Sequence, residues 1–410
     1  MAELLPDPDN PANPANPSTS GPGGARTLFV EGDNLDVLPL LPALIGSPVD
    51  VVYIDPPYNT GNDFSYADKM GVGRGRHGAW VAMMRPRLEA ARELMAESAA
   101  IFVSIDDNEV AHLRLLLDEV FGERNFIAQV VVNLNAKGRQ LGPFFATNHE
   151  YLLVYARSLS SCGLDATSVH EVSEADFPVL DPDGRRFRHL PLRNTNKKFN
   201  PATCRTLAYP LWGDPLTGRV ATAAFDGGQE IWPVFGDGAP AVWRWSAPRV
   251  EERPDDLVCR TISGRLGERV DIFQRDWLHP GRRKKLRTIW LHDEVGSTDT
   301  AVAEVKALVG KVFESPKPTG LLLRILETFP SDAVVLDFFA GSGTTGHATL
   351  IANAADGGSR VSVSVNSPEP TRTGSAAQVA GYESVSAITE SRLRAAAAAH
   401  GEDVAAYRLS

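Results

Sequence analysis

Two short stretches of this 410-residue chain carry residue types and spacings that could do chemistry. The first is Asp55-Pro56-Pro57-Tyr58, which ends the β-branched run from Val49 to Ile54. An exocyclic amine on an aromatic ring is a poor nucleophile, because its lone pair is delocalised into the ring. The Asp55 carboxylate and the Pro56 carbonyl can accept from its two N–H bonds and favour the pyramidal, nucleophilic form. Two prolines stiffen the backbone, so such acceptors need little reorganisation. Tyr58 offers a flat face on which an extruded base could stack, a contact worth about 1–3 kcal/mol. Taken alone, the same four residues also read as a strand end with a Pro-Pro turn and a capping Asp.

The second stretch is Asp337-Phe338-Phe339-Ala340-Gly341-Ser342-Gly343, after the apolar run Ala333 to Leu336. A strand, then Gly-Ser-Gly, then a helix is the geometry of a cofactor turn, where glycine lets the backbone approach a ligand closely. The stretch lacks the Gly-x-Gly-x-x-Gly of dinucleotide folds and the Gly-Lys-Ser/Thr of a phosphate loop. The plain alternative is a glycine-rich tight turn. Asp33, after Leu28-Phe29-Val30, could bond the adenine or ribose of a cofactor or simply cap a helix. Lys317, in Ser315-Pro316-Lys317-Pro318, could face a pocket or be a solvated loop lysine.

Positioning these residues requires strands that alternate with helices. Buried-strand runs are expected at 28–30, 49–54, 100–105, 126–134, 150–155, 333–336 and 360–365. Helical spacing is expected over 80–97, with Trp80, Met84, Leu88, Ala91 and Met95 on one face. Further helices are expected over 109–121, 319–329 and 384–399. This alternation predicts a parallel α/β sheet. Residues 160 to about 290 have no clear period and hold six of the seven tryptophans, so they read as an inserted domain. Residues 1–25, rich in Pro, Asn, Ser and Gly, read as a disordered tail. The expected organisation is therefore a tail at 1–25, a catalytic half at 26–158, an insertion at 159–285 and a cofactor half at 286–410.

Composition is globular, at 43% hydrophobic and 22% charged. No apolar run approaches the roughly 20 residues that span a bilayer, and the N-terminus does not read as a signal peptide. Three scattered cysteines fit neither a disulfide framework nor a zinc site. The chain therefore reads as a soluble cytoplasmic protein. A net charge of −10 speaks mildly against a nucleic-acid partner. Local charge differs: Arg185-Arg186-Phe187-Arg188, Asn196-Lys197-Lys198-Phe199 and Arg282-Arg283-Lys284-Lys285 suit phosphate contacts, or are solvated surface.

Together these residues resemble the β-class amino methyltransferases, and within them the modification subunits of type III restriction–modification systems. The resemblance rests on Tyr53 to Phe64, Ser104 to Val110, Asn148 to Tyr155 and Asp337 to His347. It covers 26–157 and 286–400, and the catalytic motif precedes the cofactor motif, as in that class. The resemblance implies a Rossmann-like S-adenosylmethionine-dependent methyltransferase fold with an inserted target-recognition domain. It implies site-specific methylation of double-stranded DNA at adenine N6, because Asp rather than Ser opens the catalytic motif. By the same carry-over, Asp55, Pro56, Pro57 and Tyr58 are catalytic. Asp33, Asp55, Lys317, Asp337, Phe339, Ala340, Gly341, Gly343 and Glu369 line the cofactor pocket, Glu369 being the acidic residue available for the ribose. A homodimer and a restriction (helicase–nuclease) partner are implied as well. The transfer needs no metal, since the leaving group is a neutral thioether. The alternatives are a stand-alone methyltransferase, a cytosine-N4 enzyme and an inactive DNA-binding homologue. A nicotinamide enzyme is disfavoured by the absent pyrophosphate fingerprint.

Overall fold

The computed structural model describes residues 2–7, 25–61, 75–135, 138, 144–171, 174–264 and 267–410. They form two compact units, one of Met1–Ser168 with Lys285–Ser410 and one of Val169–Lys284.

The first unit is built on a ten-stranded sheet. Its strands are β1 (Leu4–Pro6), β2 (Thr27–Glu31), β3 (Val49–Ile54), β4 (Met95–Ile105), β5 (Phe126–Val132), β6 (Glu150–Ala156), β7 (Ile289–Trp290), β8 (Val334–Asp337), β9 (Val361–Asn366) and β10 (Val404–Leu409). Their spatial order is β1-β10-β2-β9-β8-β3-β4-β6-β5-β7. Strands β10, β2, β9, β8, β3 and β4 run parallel to their neighbours in that series. Strand β6 is antiparallel to both β4 and β5. The helices that matter below are α1 (Asn34–Val37), α2 (Gly75–Leu94), α3 (Val110–Leu117), α4 (Thr298–Val309), α5 (Thr319–Leu326), α6 (Thr344–Asp356) and α7 (Val385–Ala399).

Both sheet faces are covered, as a parallel sheet requires. Val52, Ile54, Ile101, Val103 and Leu336 pack with Trp80, Met84 and Leu88 of α2. Val51, Tyr53, Phe102 and Val335 pack with Leu322, Ile325 and Leu326 of α5. This is the Rossmann-like architecture expected from the sequence. None of the described helices is long and apolar enough to cross a membrane.

Three expectations need correction. The tail does not extend over all of 1–25: Leu4–Pro6 pairs antiparallel with β10, Leu4 opposite Leu409, because the parallel sheet otherwise ends in an open edge. Residues 8–24 lie outside the described residues, as do Asn62, Asp63 and Phe64 of the extended catalytic stretch. Helix α2 stops at Leu94, and Met95 opens β4 opposite Val49. Residue spacing could not separate these states, since Met95 is buried in either. Residues 159–168, assigned to the insertion, stay with the first unit: Gly163 N donates to Ser98 O and Asp165 N to Thr328 O.

The second unit holds a four-stranded antiparallel sheet (257–264, 267–277, 186–191 and 179–180) and a three-stranded one (220–221, 211–213 and 229–231). Its core gathers Leu192, Leu211, Ile231, Trp243, Trp245, Leu257 and Ile272. Two of the expected tryptophans are thus core, whereas Trp232 is exposed and Trp290 belongs to β7 of the first unit.

Candidate active site

The four adjacent parallel strands β2, β9, β8 and β3 present their C-terminal ends side by side. The residues that follow are Asp33 after β2, Glu369 after β9, Asp337 closing β8 and Asp55 after β3. Ligands of open α/β sheets bind at that edge. Residues spread over more than 300 positions of sequence therefore meet because neighbouring strands end there.

Two cavities open at this edge. The larger, about 310 Å³, is walled by Asp33, Asn34, Asp337, Phe339, Gly341 and Glu369 among others. The smaller, about 160 Å³, is walled by Tyr58, Asp106, Asn135, Asn148, His149 and Glu150 among others. Asp55, Ser315, Pro316 and Lys317 line both. Asp55 thus stands at the partition, with one ligand space on each side.

Around the smaller cavity the polar groups interlock. Lys317 Nζ donates to Tyr58 Oη at 2.7 Å and to Glu150 Oε2 at 2.8 Å, and lies 3.3 Å from Asp55 Oδ1. Tyr58 in turn donates to Glu150 Oε2 at 3.2 Å. Burial pushes the Glu150 carboxyl above the usual range against the pull of Lys317. Burial alone would lower the Lys317 ammonium, but Asp55 and Glu150 outweigh it and hold it raised. Burial and the neighbouring Asp55 charge raise the Tyr58 phenol far up, so it stays protonated. Among the described residues, Asp55 Oδ1 and Glu150 Oε1 are buried acceptors without a hydrogen bond. Trp80 of α2 donates its indole N–H to Pro57 O at 2.6 Å and pins the Pro-Pro turn from behind.

The larger cavity has the acceptors and aromatic walls to receive a cationic ligand with a flat ring. Its carboxylates are Asp33, Asp55, Asp337 and Glu369, and its aromatic walls include Phe313 and Phe339. Its two cations are already paired, Arg87 with Asp33 at 3.1 Å and Lys317 with Glu150, so no free cation of the wall awaits a pyrophosphate. The turn is held open by Thr389 Oγ1, which donates to Gly341 O at 2.6 Å, and by Arg392, which donates to Ser342 Oγ at 2.8 Å. Gly341 has φ +52°, and a Cβ there would point to Phe313 across the cavity at 3.7 Å, filling the cradle. Asp337 accepts from Phe339 N at 3.0 Å and from Thr345 Oγ1. Burial raises its carboxyl to about 7 despite those two hydrogen bonds.

Residues 49–355 match the family of DNA methylases. The chain belongs to that family. It is 34% identical over 373 residues to the type II methyltransferase M.KpnI of Klebsiella pneumoniae, covering 88% of this chain and 85% of that protein. It is 32% identical over 402 residues to the EcoPI Mod subunit, a type III restriction–modification enzyme of Escherichia phage P1, covering 90% of this chain and 62% of that one. The StyLTI Mod subunit of Salmonella typhimurium is 31% identical over 404 residues, covering 91% and 57%. The chain therefore spans somewhat less than two thirds of those two type III subunits. The methylase's cofactor is S-adenosylmethionine, and the larger cavity fits it: four carboxylates in its wall, Asp33, Asp55, Asp337 and Glu369, suit a cationic ligand, and Phe313 and Phe339 suit a flat ring.

All the site residues expected from sequence line one or both cavities, except that Pro56 lines neither and Gly343 closes the turn behind the wall. Gly343 has φ +82°, and its Cβ position faces Leu393 and Thr389 rather than ligand space. Asp33 performs the capping role as well, accepting from Leu35 N at 2.9 Å. Sequence reasoning missed Glu150, Arg87 and Asn34. Asn34 donates to Phe338 O at 2.8 Å and accepts from Arg87, tying α1 to the cofactor turn. Glu150 had a visible signal, an acidic residue opening an otherwise apolar run.

The basic clusters of the second unit are largely neutralised within it. Arg185 pairs with Asp181, Arg186 with Glu174, Arg188 and Arg282 with Asp276, Lys197 with Asp237, and Lys284 with Asp176. Lys198 and Arg283 are exposed and have no such pair among the described residues.

Proposed function

We propose that this methylase transfers the methyl group of S-adenosylmethionine to N6 of an adenine turned out of double-stranded DNA. The observation that carries this reading is the place of Asp55, on the partition between a cavity sized for a base and a cavity suited to the cofactor. Asp55 Oδ1, buried and without a hydrogen bond among the described residues, is the acceptor for one amine N–H, and the Pro56 carbonyl for the other. Tyr58 supplies the stacking face, with its hydroxyl clamped by Lys317 and Glu150. When bound, the cofactor supplies a methyl group on a cationic sulfur that leaves as a neutral thioether. Attack makes the amine acidic, so its proton passes to Asp55 or to water without a strong base. Phe144 and Phe145, 90% and 94% exposed, stand just before Thr147 of the smaller cavity's wall and can fill the stack a base has left.

The likeness to EcoPI and StyLTI Mod subunits supports a place in a type III-like restriction–modification system, with a homodimeric methylase and a helicase–nuclease partner in the cytoplasm. The likeness to M.KpnI favours the second reading, a methyltransferase that works without that partner. Single-molecule sequencing of DNA from cells expressing the protein, beside Asp55→Ala, tests the chemistry. N6-methyladenine at one short motif, absent with Asp55→Ala, is the expected result; N4-methylcytosine would overturn the choice of base. Loss of the Asp55 acceptor should lower transfer by about 100-fold or more. Co-purification from the native host separates the two settings.

A further inference from the structure

Away from both cavities, three side chains converge from separate places in the fold: His77 in the first turn of α2, Glu109 just before α3, and His112 within the first turn of α3. His77 Nδ1 lies 2.8 Å from Glu109 Oε1, and His112 Nδ1 lies 3.1 Å from Glu109 Oε2. All three ligand atoms fall within 4.8 Å of one another. The two imidazole rings are nearly parallel, with centroids 4.3 Å apart.

The carboxylate itself points to what this group holds. Glu109 is fully buried. Its Oε1 is satisfied by His77 and by Asn59 Nδ2, the latter at 2.6 Å. Its Oε2 and His112 Nδ1 are both sealed from solvent, yet despite their short separation neither has a hydrogen bond among the described residues. Leaving a buried polar pair in that state is costly, and such exceptions call for a ligand or strain. We propose that His77, Glu109 and His112 bind one divalent transition-metal ion of the zinc class. Two imidazole nitrogens and a carboxylate oxygen are the donor set such ions prefer. Tetrahedral ligand bonds of about 2.0–2.2 Å set donors about 3.3–3.6 Å apart, so the 2.8 and 3.1 Å contacts open slightly as the ion enters. The fourth position belongs to water.

The ion takes no part in methyl transfer. Its effect passes through Asn59, the residue after the catalytic tetrad, which is buried, holds φ +56° and is bonded to the same carboxylate. A fixed Glu109 holds Asn59 in that left-handed conformation, which a non-glycine residue adopts at a cost. The metal is thus a clamp on the exit of the catalytic turn.

The test uses the full chain, stripped with a chelator and dialysed. Co2+ is titrated by visible absorption and Zn2+ by calorimetry, for the native chain and for His112→Ala and His77→Asn. His112 is partly exposed, so its truncation should leave the fold intact, which the metal-free thermal midpoint checks. Expected are one ion per chain, the absorption of Co2+ bound by nitrogen and oxygen, and at least tenfold weaker binding in each variant. Zn2+ should also raise the thermal midpoint of the native chain and not of His112→Ala. No uptake at millimolar metal, or uptake of equal strength in both variants, would overturn the proposal. Neither readout depends on which base is methylated.

Discussion

Asp337 is a carboxylate at the mouth of the cofactor turn whose burial raises it to about 7, against an ordinary value near 3.8. The folded protein therefore holds a proton that the unfolded chain releases between those values. Its contribution to stability is fully present at low pH and is lost as pH rises through about 7. Ligand binding has the opposite sign, because the ionised form attracts a cationic cofactor. Affinity for S-adenosylmethionine should rise with pH through about 7 in the native chain and be flat in Asp337→Asn. Calorimetric titrations between pH 6 and 8 would show this; an equal slope in Asp337→Asn would remove Asp337 from the account. At this scale the sequence was most informative where neighbours in the chain are also neighbours in the site. Asp55 to Tyr58 and Asp337 to Gly341 are of that kind. Glu150 is not, since its partner Lys317 lies 167 residues away. The cluster of His77, Glu109 and His112 is likewise invisible until α2 is laid against α3.

At the scale of the element, the helix that follows Lys317 sets where that ammonium sits. Gly320 lies in the first turn of α5, and a Cβ there would stand 2.7 Å from the backbone oxygen of Val295. Backbone cannot yield as a side-chain tip can, so Gly320→Ala must push α5 outward. A destabilisation of about 1–3 kcal/mol is expected. Because Lys317 sits just before α5, methyl transfer should fall more than cofactor binding does. Thermal melts, with methyl transfer and cofactor titration side by side, check both parts. Apart from α4, which buries only Ala301 and Val305, the helices and central strands were legible because their apolar residues recur at one period. The two outer strands were not. In Val404-Ala405-Ala406-Tyr407 the alanines give little contrast between faces, and Leu4–Pro6 sits in a proline-rich setting. What makes them strands is the open sheet edge beside them.

At the scale of the molecule, the second unit has its own apolar core and two sheets of its own. Residues 169–284 expressed alone should therefore unfold in one cooperative transition. Replacing them by a short linker should leave S-adenosylmethionine affinity within a few-fold of native and abolish methylation at a defined sequence. Loss of cofactor binding in that deletion, in protein that still melts cooperatively, would show that the first unit depends on the insertion. The neutralised basic clusters sharpen this expectation. Sequence alone left three basic patches open between phosphate contact and solvated surface, and carboxylates far along the chain, such as Asp276 for Arg188, already answer much of that charge.

Strand β1 lies along β10, and Ser410 N donates to Glu3 O at 3.0 Å. Glu3 and Ser410 are thus within reach of a few-residue bridge, which would close the first unit into a ring. A ring may be cut elsewhere. A version bridged from Ser410 to Ala2 and opened in the exposed turn at 159–161 would read the cofactor motif before the catalytic one, yet keep every strand pairing. If it still binds S-adenosylmethionine and methylates DNA, the order of the motifs along the gene is historical, and only their meeting at one sheet edge is physical.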